Sequence, residues 1–121
     1  VMTLKDLLYG LMLRSGNDAA IAIAEHIGGS EEGFAELMNA KAKSLGATQS
    51  HFITPHGLHQ DDHYTTIYDM YLIFQAAIQN ETFLEVISKI ADLGFYQSLF
   101  KWKRKSTGRI YRYRGEDRNY I

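Results

Sequence analysis

The sequence predicts a mainly α-helical chain with a short C-terminal β-hairpin, and three observations carry that expectation. Apolar residues recur at helical spacing from Leu4 to about Lys89, and each run opens on a residue suited to capping a helix. From Leu93 onward the helical period gives way to aromatic residues alternating with polar ones. With 121 residues the chain is at most one domain, divided into a helical region over residues 1–92 and a basic aromatic tail over residues 93–121.

The first helix follows Thr3, an N-cap with Asp6 near the positive helix end, and runs on Leu4, Leu7, Leu8 and Leu11 to about Arg14. Ser15-Gly16-Asn17-Asp18 favours caps and turns. A second, alanine-rich helix then places Ala20, Ile23, Ala24 and Ile27 on one face and stops at Gly28-Gly29, its small residues implying close packing. Ser30 with Glu31 and Glu32 starts a third helix, with Phe34, Leu37, Met38 and Leu45 as apolar positions and Gly46 as its stop.

Residues 47–65 lack a helical period and hold the single proline, which predicts a short strand near His51–Ile53 and then a long loop with a turn at Pro55-His56-Gly57. Thr66 with Asp69 resembles a capping box for a fourth helix, whose Ile67, Met70, Tyr71, Phe74 and Ile78 form a stripe expected to be buried. Asn80 caps a short fifth helix through Lys89. In the tail, Tyr111-Arg112-Tyr113-Arg114 and the turn Ser106-Thr107-Gly108 predict the hairpin.

Bulk properties exclude several classes. An apolar fraction of 45% with 22% charged residues is ordinary for a globular protein, and no apolar run approaches the roughly 20 residues that cross a bilayer. No cysteine is present, so disulfides and thiolate metal sites drop out. The first residues show no signal-peptide pattern. The net charge of −1 conceals five Lys/Arg against twelve Asp/Glu in residues 1–97 and eight against two in residues 98–121. Cations mixed with aromatic rings in Lys101-Trp102-Lys103-Arg104-Lys105 suit nucleic acid, but they equally suit a hairpin with a solvated basic face. An acidic body would repel a polyanion, so no nucleic-acid partner is expected.

The candidate chemistry lies at Ser15-Gly16-Asn17, where one apolar helix ends and the next begins. A hydroxyl can pass a proton, and a carboxamide two positions on can both donate and accept hydrogen bonds, which suits handling of a peptide bond. For three letters alone, capping of the second helix by Ser15 or Asn17 explains the same residues. His51, His56, His59 and His63 with Asp61 and Asp62 invite a zinc reading, which loop spacing leaves open because it does not fix ligand geometry.

The surroundings extend the signal. Leu7 to Ala20, Ala24-Glu25-His26-Ile27-Gly28-Gly29-Ser30, Met38-Asn39, Leu45-Gly46, His51-Phe52, Pro55-His56-Gly57-Leu58 and His63-Tyr64-Thr65-Thr66-x-Tyr68-Asp69 together resemble the serine D-Ala-D-Ala carboxypeptidases of the penicillin-binding family. The resemblance runs from about residue 3 to residue 89. It implies the helical region of the serine transpeptidase and β-lactamase-like α+β fold, and a site built in order from Ser-x-x-Lys, Ser-x-Asn and Lys-Thr-Gly. Only the middle element is clearly present, so the chain reads as a single partial domain, an internal stretch of a longer enzyme and inactive alone.

By the same resemblance Ser15 relays a proton, Asn17 holds the substrate through its amide, and Gly16 keeps the turn compact. The implied substrate is a peptidoglycan stem peptide ending in D-Ala-D-Ala, β-lactams are covalent inhibitors, no cofactor is used, and the enzyme acts outside the cytoplasm. Ser98-Leu99-Phe100-Lys101 fits Ser-x-x-Lys but follows Ser15, and Lys105-Ser106-Thr107-Gly108 lies one insertion from Lys-Thr-Gly; both are read as decoys. Two other functions stay open: a non-catalytic helical binding module, and a β-lactamase-like hydrolase on the same fold.

Overall fold

A computed structural model describes residues 1–92, and these are organised as helices joined by turns and one long loop. The helices are α1 (Leu4–Arg14), α2 (Asn17–Gly28), α3 (Glu31–Ser44) and α4 (Ile67–Ala77), followed by helical residues 81–92, here α5. Val1–Ile87 form one compact unit. The expected tail hairpin, Ser98, Lys101 and the Lys105–Gly108 turn lie outside the described residues. No helix among the described residues is long and apolar enough to cross a membrane.

Local capping chemistry sets the helix starts. Thr3 and Asp6 form a reciprocal box: Asp6 N–H donates to the Thr3 hydroxyl, while Thr3 N–H and hydroxyl donate to Asp6 Oδ2 at 2.9 and 2.7 Å. Those bonds, the hydroxyl's first, hold the Asp6 carboxyl below its ordinary range. Ser30 accepts from Gly33 N–H at 2.9 Å, and Asn80 Oδ1 accepts from Phe83 N–H at 3.0 Å. α5 therefore begins where the sequence places it, but it extends past Lys89 to at least residue 92.

The core is built from small side chains. Ala20, Ile23 and Ala24 of α2 are buried together with Ala35 and Ala42 of α3, so α2 packs closely against both α1 and α3. Two glycines permit the sharp return from α2 to α3. A Cβ on Gly28 would come within 2.5 Å of Phe34 N, and one on Gly33 would run into the Gly28 carbonyl oxygen. α1 contributes no buried residue, and its Lys5 and Tyr9 reach Glu85 of α5 at 3.0 and 3.3 Å. The Glu85 hydrogen bond raises the Lys5 pKa, while loss of solvation, followed by the Glu85 charge, raises that of Tyr9.

Two expectations need correction. The strand near His51–Ile53 is a single antiparallel bridge between His51 and Tyr64, and the described residues contain no longer ladder. The α4 stripe is not buried: Ile67 is 94% exposed, and Met70, Tyr71 and Phe74 are each about half exposed, whereas Asp69 is the buried residue. α4 is apolar around most of its circumference, so periodicity could not say which side meets α3 and the loop; the described residues cover the Asp69 side.

Candidate active-site element between the first two helices

Only Ser15 and Gly16 separate α1 from α2. Ser15 closes α1 in the left-handed conformation, with φ 53° and ψ 41°, a place glycine usually takes. A Cβ there costs about 1–2 kcal/mol, and the turn holds it by bonding both the Ser15 and Gly16 N–H groups to the Gly10 carbonyl. Gly16 stands as the N-cap of α2 without a side-chain cap, and a Cβ on it would sit 3.2 Å from Gly10 O. Asn17 is the first residue of α2. Its Ala20 neighbour one turn on donates its N–H back to Gly16 O at 3.2 Å.

The capping explanation of these residues fails on this geometry. Ser15 and Asn17 are exposed, and among the described residues neither side chain makes a hydrogen bond, so neither caps α2. A hydroxyl on a strained backbone and a carboxamide at a helix N-terminus are therefore both available to something outside the helix pair. Strain of this kind persists where surrounding structure enforces it, and such positions concentrate at functional sites.

The histidine-rich loop has the opposite character. His51 Nδ1 lies 2.6 Å from the Asp62 carbonyl, His63 Nδ1 accepts from Ile53 N–H at 3.0 Å, and His56 Nδ1 accepts from Leu58 N–H at 3.1 Å. The imidazoles thus serve the loop backbone, and among the described residues no group of three or more His, Asp or Glu side chains is gathered to hold a metal. Pro55-His56-Gly57 is a turn: the buried Thr54 hydroxyl accepts from Gly57 N–H at 3.2 Å, and Gly57 has φ 82°.

Two braces were not visible as such in the sequence. Asn39 of α3 donates to Phe52 O at 2.8 Å and accepts from Phe52 N–H at 2.7 Å, imitating a strand partner. Asp69 Oδ2 accepts from Gln49 N–H at 2.8 Å and from the Ser50 hydroxyl at 2.7 Å, so only half of the expected capping box forms, from Asp69 N–H to Thr66. The one signal for Asn39 was a poor helix former at mid-helix.

Solved structures share this helical arrangement. The D-alanyl-D-alanine carboxypeptidase from Mycobacterium tuberculosis H37Rv superposes with a TM-score of 0.66 at 42% identity, over 70% of this chain and 33% of that one. Penicillin-binding protein 6B from Escherichia coli gives a TM-score of 0.64 at 36% identity, over 67% and 26%. The helical fold thus falls with the penicillin-binding carboxypeptidases.

The family model described as D-alanyl-D-alanine carboxypeptidase matches residues 1–116, and the chain belongs to that family. D-alanyl-D-alanine carboxypeptidase DacF of Bacillus subtilis (strain 168) is 44% identical over 81 residues, which is 67% of this chain and 21% of that protein. DacB2 of Mycobacterium tuberculosis is 43% identical over 89 residues, 72% of this chain and 30% of that protein. The chain spans between about a fifth and a third of the length of these relatives.

Proposed function

We propose that this chain supplies the Ser-x-Asn part of a serine-type D-Ala-D-Ala carboxypeptidase that acts on peptidoglycan stem peptides outside the cytoplasmic membrane. The observation that supports the reading most is the exposed, unbonded pair Ser15 and Asn17 on the strained turn of a chain belonging to this family. In the proposed reaction a serine of a Ser-x-x-Lys element attacks the carbonyl carbon of the penultimate D-alanine. The Ser15 hydroxyl passes a proton toward the departing amine, the C–N bond breaks, and D-alanine leaves. Asn17 holds the peptide backbone through its amide, Gly16 lets the chain pass close to Gly10 O, and water then hydrolyses the acyl-serine. A β-lactam ring would acylate the same serine.

No serine precedes Ser15 in this sequence, so the 121-residue chain by itself is expected to form no covalent adduct with a fluorescent penicillin. A stoichiometric label at Ser98 would assign the nucleophile there instead. The role of Ser15 is tested in a chimera of Bacillus subtilis DacF that carries this chain in place of its matched segment. Ser15→Ala should slow penicillin acylation about 10²–10⁴-fold with unchanged urea stability. An acylation rate within threefold or so of the parent chimera would remove Ser15 from proton transfer.

A further inference from the structure

The His63 imidazole is a hydrogen-bond acceptor inside the long loop. Ile53 N–H donates to its Nδ1 at 3.0 Å, and Thr54 N–H approaches the same nitrogen at 3.4 Å. A backbone amide has only a proton to offer, so Nδ1 is the unprotonated ring nitrogen and Nε2 carries the hydrogen. The ring is half-buried and meets the Phe52 ring edge-on, centroids 5.6 Å apart. Phe52 is the residue gripped by Asn39, and its ring lines an apolar cavity of about 420 Å³ with Met38 and Leu45 of α3 and Met70 and Ile73 of α4.

We propose that His63 is a proton-sensitive pin for residues 52–54. The neutral ring holds the segment through Nδ1; protonation turns that acceptor into a donor facing two N–H groups, and the segment is released from the ring.

The surroundings single out His63 among the loop histidines. His51 Nδ1 faces the Asp62 carbonyl and donates to it in either protonation state. His56 also accepts at Nδ1, but its Nε2 lies 3.8 Å from Glu31 Oε2 of α3, so a charge gained there meets a carboxylate that offsets the lost bond. His63 has no such compensation among the described residues. The segment packed against it presents the Phe52 ring and two amides, and Gln60 meets the residue only at its backbone, where the Gln60 carbonyl accepts the His63 main-chain N–H at 3.0 Å. Of the acidic residues beside it in the chain, Asp61 lies 3.7 Å from His59, and neither Asp61 nor Asp62 brings a carboxylate oxygen within 4.0 Å of a His63 ring nitrogen.

The test is nuclear magnetic resonance of the full, ¹⁵N-labelled chain between about pH 8 and about pH 5. His63 Nδ1 should resonate as an unprotonated nitrogen at the upper end. Protection of the Ile53 amide, corrected for intrinsic exchange, should fall about tenfold or more toward the lower end, while that of Ala24 in α2 holds. His63→Asn, whose amide oxygen takes the place of Nδ1 and does not protonate, should keep Ile53 protected throughout. A protonated Nδ1 at the upper end, a flat Ile53 profile in the unmodified chain, parallel loss at Ala24, or the same loss in His63→Asn would each overturn the proposal. The first three need no variant, so a variant that fails to fold leaves the pin testable.

Discussion

The α1–α2 turn and the loop over residues 47–66 are both rich in polar side chains, yet they use them in opposite ways. At the loop, Thr54, His51 and His63 from within it, with Asn39 of α3 and Asp69 of α4, are consumed in holding backbone N–H and carbonyl groups that have no ladder to satisfy them. In the turn the backbone satisfies itself through Gly10 O, and Ser15 and Asn17 hold nothing among the described residues. A polar side chain without structural employment, on a backbone strained to present it, is a better sign of chemistry than a dense cluster of histidines. Density in the loop reflects how much unpaired backbone it must brace.

The contrast can be broken most forcefully from the loop side. Asp69→Ala leaves the Gln49 amide without its acceptor and the Ser50 hydroxyl with Thr65 alone, at a position that is 3% exposed, and should cost about 2–3 kcal/mol in urea denaturation. Asn39→Ala removes two bonds to Phe52 and should cost about 1–3 kcal/mol. A loss below about 0.5 kcal/mol in either variant would show that the loop does not depend on its brace.

The turn predicts a smaller effect of opposite sign. Ser15→Gly relieves the left-handed Cβ but raises the entropy of the unfolded chain, so stability should rise by about 0.5–1 kcal/mol while the hydroxyl is lost. A destabilised Ser15→Gly would mean that the hydroxyl does structural work after all, and the distinction between the two regions would fail.

The smallest expected effect sharpens the comparison at the far end of α1. Asp6 is held below its ordinary pKa by Thr3, so its contribution is full above the ordinary carboxylate range and fades as pH falls through the depressed value. The first turn of α1 should fray below about pH 4, seen as coupled amide-shift changes at Asp6 and Leu7 that Asp6→Asn abolishes. Movement of these amides already near neutral pH would contradict it.

What the sequence made legible was what neighbours in the chain decide. Thr3, Ser30, Thr66 and Asn80 each cap the helix they precede, because an N-cap needs only the next turn. The burial of Ala20 and Ala24 was also readable, since small residues on one face have few other uses. The α4 stripe was misread because burial depends on what lies opposite, and a helix apolar on most sides does not encode which side that is. Asp69 was seen as a capping residue because its partner at position 66 is local, while its bonds to Gln49 and Ser50 bridge 20 and 19 positions. For the turn, the residues were readable but the left-handed Ser15 was not, since that conformation is usually announced by glycine or asparagine.

That conformation narrows what evolution can write at position 15. The backbone would accept glycine or asparagine, and the proton relay proposed for Ser15 would demand a hydroxyl; threonine has the hydroxyl, but its branched Cβ makes the left-handed region still more costly. Serine is left as the overlap of two demands that each favour different residues. Most exchanges here would change fold or the proposed chemistry singly, and a library of all substitutions in the DacF chimera should separate the two, with glycine and asparagine retaining shape while penicillin acylation is lost.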